Sequence, residues 1–378
     1  MPPKLKFPSV NWENGMNINK THFIQQENAF VDGLNDSRAV FLNNKNFGLV
    51  PLSPGSEGAV KTAIKVDNQH FLKVKVFCCR AVTQGGSRIE ILDEHQLPEL
   101  ELDITSELEQ EAQGEGEDYF ILLTVEPFHR EPFGELNSEE DPPRYPFSRP
   151  GFRLNIISEK QMAPDGGHPH TFFAGKLKIG KAGPEIYEDY IPPCMEVKSH
   201  PLLIEFSQSV EKFFSQLELD LLSIIRKIRE KKQDSSLPQS VLALSENLLQ
   251  YISTHHLRLR WEIPDLPPLN LFLFIAGAAR VIRNTIDSNT ASNKEEMLNY
   301  FTNWSELKQG DFEKLLVYCI NFDYKHYDIL FSVEQFTEFI QILALLFDKL
   351  ESLAYIGKKK ETNIFVKEQK TKRSFLAD

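Results

Sequence analysis

The residues with the most chemical reach are histidines and acids. Asp165, His168 and His170 fall together in the stretch APDGGHPH. Two histidines two apart can ligate a metal from a strand, but a closed site needs three or four ligands, and no further ones are evident nearby. A polar hairpin loop is the expected setting. His255 and His256 fall at the expected end of a helix, where a histidine complements the dipole. Glu107, Glu109, Glu111, Glu115, Glu117 and Asp118 crowd the stretch TSELEQEAQGEGED. Solvated loops explain such a run, because like charges repel. The four cysteines, Cys78, Cys79, Cys194 and Cys319, show no metal-binding spacing and read as reduced thiols. No GxGxxG opening a helix, Walker loop, GxSxG or HExxH is present. The chain therefore reads as a non-enzyme, with no catalytic residues, metal, cofactor or small-molecule substrate. A metal-dependent hydrolase built on the HPH loop is the distant alternative.

The elements that would position these residues set the class. At 378 residues the chain has room for two or three domains. Its net charge of −12 argues against nucleic acid as a partner, because phosphates reward clustered Lys and Arg. The first residues, MPPKLKFPSV, lack the apolar run of an export signal. The most apolar run, Leu271–Ala279, is half the length of a membrane span and reads as a core helix. A cytoplasmic protein is expected.

The first half reads as strands. FLKVKVFCC alternates, with Leu72, Val74 and Val76 on one face and Lys73 and Lys75 on the other. RIEIL, ELELDI, YFILLTV, GFRLNIISE and FFAGKLKIG follow, separated by turn-rich stretches. This pattern predicts an antiparallel β-sandwich or barrel. TSELEQEAQGEGED and HREPFGELNSEEDPPRYPFSRP read as loops. A short helix over NKTHFIQQENAFVDGL gathers Phe23, Phe30, Val31 and Leu34 on one face, with Asn19 or Thr21 as cap and Gly33 near its end.

Composition changes at YIPPCMEVKSHPLL. Beyond it, Leu203, Val210, Leu217 and Ile224 recur every seven residues, with Phe206, Phe213 and Leu221 in the same stripe. A sustained spacing of this kind favours self-association through a coiled-coil seam, with no strand number fixed. Further helices are expected around Val241–His255, Leu269–Asp287, Phe312–Asn321 and Val333–Tyr355, as in a bundle. The segment 357–378 is basic, carrying Lys358, Lys359, Lys360, Lys367, Lys370, Lys372 and Arg373. It is a candidate contact for an acidic partner or anionic lipid.

The opening stretch VNWENGMNINKTHFIQQ resembles the N-terminal signature of the TssK family, baseplate proteins of bacterial type VI secretion systems. The matching residues are Val10, Trp12, Gly15, Met16, His22, Phe23, Gln25 and Gln26. NFGLVPL (Phe47, Gly48, Leu49), YIPPCMEVKSHPLL, DLPPLNLFLFIAGAARVI and FDYKHYDILFSVEQFTEFIQIL resemble further family elements in the same order. The last carries Phe322, Asp323, Tyr327 and Asp328. The signature departs at Asn14, at Asn17-Ile18 and at Lys20-Thr21.

The resemblance implies an α+β chain. A β-sandwich shell over 1–195, like the shoulder of phage receptor-binding proteins, carries the N-terminal arm and short helix. A helical neck over 196–356 and the tail 357–378 follow. It implies a homotrimer, whose core the heptad stripe is expected to supply through Leu203, Phe206, Val210, Phe213, Leu217, Leu221 and Ile224. It also implies docking of the shell on the wedge proteins TssF and TssG through the N-terminal signature, with Phe23 expected to pack slightly more toward its own domain. Family members carry a head domain that contacts the inner-membrane complex. Only 23 of the 378 residues follow Tyr355, so the head is expected to be absent or vestigial, leaving that membrane partner unidentified. A phage-tail-like baseplate or receptor-binding protein is the alternative.

Overall fold

The structure is a computed structural model. It describes residues 4–51, 59–92, 97–111, 116–162, 168–181, 183–304 and 310–357. Asp165, Glu115 and the basic residues from Lys358 to Arg373 lie outside the described residues.

The chain is mixed α/β, with antiparallel sheets and, among the described residues, eight α-helices. Helix α1 (Lys20–Ala39) comes first. A five-stranded sheet follows, formed by β1 (Gly48–Leu49), β2 (Val60–Val66), β3 (Phe71–Val82), β4 (Arg88–Ile91) and β5 (Leu100–Asp103). Its hub is β3, which pairs with all the others. Its alternation is the expected one, with Leu72, Val74 and Val76 turned into the core. The second sheet has four strands in the order β7-β6-β8-β9, from β6 (Glu117–Phe133), β7 (Phe147–Ser158), β8 (Thr171–Gly180) and β9 (Gly183–Ile186). Tyr119, Ile121, Leu123 and Val125 of β6 share one core with the inward residues of β3.

Both stretches read as loops are partly regular. Thr105–Glu111 forms helix α2. The Asp103 carboxylate accepts the Thr105 N–H at 2.9 Å, and Leu108 packs on the core, so local capping and one apolar anchor outweigh the acidic charge. Glu117 and Asp118 open β6. The other stretch extends a hairpin, in which Arg130–Phe133 pair with Phe147–Pro150.

The second half is helical: α3 (Pro201–Glu230), α4 (Ser236–Trp261), α5 (Leu269–Asp287), α6 (Ala291–Trp304), α7 (Asp311–Ile320) and α8 (Ile329–Ser352). Sequence reading missed α6, whose few core residues, Met297, Tyr300 and Phe301, are diluted among polar ones. Helices α5 and α8 are long and apolar enough to cross a membrane by length and composition. In this fold they bury that apolar character in the core, through Phe272, Ile275, Phe336, Phe339 and Phe347 among others.

The stripe on α3 corrects an expectation. Leu203, Phe206, Val210, Phe213, Leu217, Leu221 and Ile224 are all buried within a single chain. Phe214, Ile225 and Ile228 are buried beside them, so the covered face is wider than a two-position seam. Helix α3 packs on both α4 and α8, and two neighbours need a broad face. Leu203, Val210, Leu221 and Ile224, fully covered, are not available as an interchain seam without opening the protomer.

Strands and helices join at one polar and aromatic junction. The Leu49 N–H donates to the Pro193 carbonyl at 2.7 Å, and the Met195 N–H returns to Leu49 at 2.9 Å. Gly48 sits at φ +116°, and a Cβ there would lie 1.9 Å from the Pro193 oxygen, so only glycine allows this approach. The loop before α8 closes on the same point. His326 Nε2 lies 2.8 Å from the Phe47 carbonyl, and Tyr324 Oη lies 2.7 Å from its Nδ1. A carbonyl only accepts, so the imidazole carries its proton on Nε2 and takes the tyrosine hydroxyl on Nδ1. Phe47, Phe120, Phe173 and Tyr190 form a separate small core beneath it, against which Tyr327 packs. Lys176 bridges Asp328 (2.9 Å) and Asp118 (3.0 Å). Burial works against its charge, but the two carboxylates hold its pKa above the usual lysine value.

Burial lowers the pKa of His326, His170 and His200 to about 4 in each case. A depressed histidine pKa leaves stability complete above the unfolded value near 6.5 and removes it as pH falls toward 4, because only the unfolded chain takes up the proton. Between pH 6.5 and pH 5 each should cost about 1.5 kcal/mol. Denaturant titrations over that window should show the loss. His326→Gln, which can keep both hydrogen bonds, should reduce it by about one third; an unchanged slope would contradict the neutral buried imidazole.

Candidate functional site

The N-terminal arm and α1 form one unit. Asn19 caps α1, its side chain accepting the N–H groups of Thr21 and His22, while His22 Nδ1 accepts the Asn19 N–H in return. The helix runs on to Ala39, past Gly33, which sits in its exposed middle rather than at its end. The arm runs back along the helix. The Asp32 carboxylate accepts the N–H groups of Lys6 and Phe7, the latter at 3.0 Å. Gln26 Oε1 accepts the Val10 N–H at 3.1 Å. Gly15, at φ +82°, makes the turn, and the Met16 N–H closes it on Glu13. Phe7 packs against Phe128 with the rings tilted and their centroids 4.4 Å apart.

Helix α1 is seated by its polar face. Asn28, Asp32, Asn35 and Ala39 are the buried residues. Arg130 of β6 reaches Asn28 (3.0 Å) and Glu27 (2.7 Å), and Arg38 donates to the Gly86 carbonyl at 3.3 Å. The apolar face points outward: Phe23 is 62% exposed, Phe30 63% and Phe41, just past the helix, 80%. Trp12, Ile18 and Leu34 are exposed with them. Trp12 lies over His22 and Phe23, at 6.3 and 6.2 Å between centroids. The expectation that Phe23 packs into its own domain is thus reversed. The periodicity identified the helix and its apolar face, but not which way it turned. The polar anchors Asp32 and Arg130 went unnoticed, because buried polar seating leaves no periodic signal.

Of the signature residues, Trp12 and Phe23 present apolar surface and Gln25 is exposed. Val10, Met16, His22 and Gln26 are half-buried, and all four take part in the bonds that hold the arm, turn or cap in place. A groove of about 830 Å³ lies between the arm and the four-stranded sheet, lined by Lys6, Phe128, Arg153, Asn155, His168 and His170 among others.

The histidine stretch is structural where it is described. His170 is buried, with Nδ1 at 2.8 Å from Ser87 Oγ, and His168 Nδ1 accepts the His170 N–H at 3.3 Å. Among the described residues no cluster of three or more His, Cys, Asp or Glu is arranged to hold a metal. Pro169 instead receives the Gly85 N–H at 2.6 Å, wedging the β3–β4 turn between this stretch and α1. His255 and His256 lie inside α4 rather than at its end, and the His255 ring stacks on Tyr251 at 4.4 Å.

No family model and no curated protein matches the chain. Its neighbours among solved structures are TssK and type VI secretion baseplate complexes. A crystal structure of TssK aligns with 14% identity and a TM-score of 0.49, covering 89% of this chain and 69% of that one. A chain of the baseplate complex from the type VI secretion system aligns with 13% identity and a TM-score of 0.48, covering 90% and 99%. A chain of a TssK–TssF–TssG baseplate subcomplex aligns with 15% identity and a TM-score of 0.40, covering 92% and 100%.

Asp32→Ala removes the acceptor for two arm N–H groups. Hydrogen bonds to a charged partner contribute about 1.5–3 kcal/mol. Amide exchange at Lys6 and Phe7 should accelerate at least about tenfold, while β6 and β8 keep their protection. Unchanged exchange in the arm would show that Asp32 does not hold it.

Proposed function

We propose that the chain is a non-enzymatic structural adaptor of a type VI secretion baseplate, of the TssK kind. It works as a homotrimer on the cytoplasmic side of the inner membrane. Its β half, a sandwich-type shell over 1–195, docks on a TssF–TssG wedge, and its helical neck over 196–356 extends toward the envelope. The ordered motifs from Val10 to Asp328 support this reading. The single observation that carries it is the outward apolar face of α1, joined by Trp12. A helix held by its polar side and presenting phenylalanines to water is built for a partner, since exposed apolar patches of this kind mark interaction sites.

Threefold association draws on a surface other than the α3 stripe. Leu257 and Trp261 of α4 and Leu273 of α5 are exposed apolar residues free for that use.

Phe23→Glu with Phe30→Glu tests the docking face. Both residues are solvent-exposed, so folding should be retained with a melting curve close to the parent. Capture of TssF–TssG should fall at least about tenfold, the loss of a modest hot spot. Undiminished capture by the folded variant would remove α1 as the docking face. Light scattering on the purified chain should give three times the chain mass; a monomer at all concentrations would remove the trimer.

A further inference from the structure

A groove of about 320 Å³ runs between α3 and α8. Its apolar surface comes from Phe213, Leu217, Leu345 and Phe347, and its polar rim from Gln216, Asp220 and Asp348. Leu345 is 59% exposed although it belongs to this apolar surface.

The charge of the groove is unbalanced. Asp220 is only 9% exposed, and its one hydrogen-bond partner among the described residues is the Gln216 amide at 2.8 Å. Burial, joined by the nearby Asp348 and Glu351 carboxylates, raises its pKa. Lys227, whose charge acts on it, pairs with Glu351 at 3.1 Å. A buried carboxylate facing a second carboxylate over an apolar floor calls for a ligand that is basic and apolar together.

The chain carries such a segment close by. The described residues end at Gly357, just beyond α8, and Lys358-Lys359-Lys360 follow, then Ile364-Phe365-Val366, then Lys367, Lys370, Lys372 and Arg373. Asp348 lies one turn before the end of α8, about 6 Å along its axis. The eight residues from Lys358 to Phe365 reach up to about 27 Å when extended.

We propose that the basic C-terminal segment docks in its own α3–α8 groove, Ile364-Phe365-Val366 lying on the apolar floor and the flanking lysines on Asp220 and Asp348. Tethering makes the contact intramolecular, so weak individual ion pairs and a small apolar area suffice to hold it. The docked segment covers Leu345 and neutralises Asp220. It is released by salt or by a stronger acidic competitor, which makes exposure of the tail a controllable property of the neck.

The test uses the full-length chain. A photocrosslinking amino acid at position 365, in a mixture of isotopically light and heavy copies, should crosslink to α3 or α8 groove residues of the same chain. Crosslinks only between copies would show that a second molecule fills the groove and would overturn the proposal, as would the absence of groove crosslinks. In parallel, trypsin cleavage after Lys358 to Arg373 is followed by mass spectrometry. Asp220→Asn with Asp348→Asn, and separately Leu345→Lys at an exposed position, should each accelerate tail cleavage about tenfold. Cleavage of the parent at the rate of a free peptide of the same sequence, or unchanged rates in both variants, would overturn it.

Discussion

The main-chain carbonyl of Phe47 is the point through which strands and helices are coupled. It accepts from a buried, neutral His326, and the next residue, Gly48, allows the Pro193 backbone to come within hydrogen-bonding reach of Leu49. Three separated parts of the chain, near residues 47, 193 and 326, therefore meet at one place with their polar groups satisfied. An unpaired buried carbonyl or imidazole there would cost about 1–3 kcal/mol each. The aromatic cluster of Phe120, Phe173, Tyr190 and Tyr327 then excludes water from the contact. The Lys176 bridge adds charge pairing at the same seam, where low solvent access makes it count.

Helix α1 obeys the opposite logic from the rest of the molecule. Elsewhere the apolar face is covered and the polar face is wet. Here the polar residues Asn28, Asp32 and Asn35 face the protein, and Phe23, Phe30 and Leu34 face water. Gly86 makes this seating possible, since a Cβ there would lie 2.1 Å from the Asn35 oxygen. A contact held by a few polar bonds contributes little to global stability, and the outward phenylalanines add little to it within the protomer.

Much of the fold could be read from periodicity. The alternation of β3 and the bounds of α5 agree with the structure, because both are dominated by burial. Periodicity failed where the outcome depended on what covers an apolar face or on a single polar group. It placed the stripe of Leu203, Val210 and Leu217 between chains, because spacing alone does not distinguish a neighbour in the same chain from one in another. It read Thr105–Glu111 as a loop, because one capping carboxylate is invisible to a count of charges. It found the candidate surface on α1 but reversed its facing for Phe23. The motifs behind the family resemblance divide accordingly: Phe47-Gly48-Leu49, the Pro192-Pro193 stretch and His326–Asp328 build the junction, while the N-terminal signature shapes the exposed arm.

The Lys176 bridge also has a mechanical meaning. Strand β6 runs from Asp118 at that bridge to Arg130 beneath α1, and α8 starts from Asp328 at the same bridge. A pull applied at α1 passes along β6, whose ladders with β7 and β8 lie parallel to the load and so resist it in shear, many hydrogen bonds at once. It then crosses a seam of a few polar contacts, in which Lys176–Asp328 stands beside the His326–Phe47, Tyr190–Tyr327 and Lys325–Glu159 bonds, and continues along the axis of α8. The strands and the helix are stiff members in series, and this seam of few contacts is the compliant joint between them, the place where an overloaded protomer would yield first.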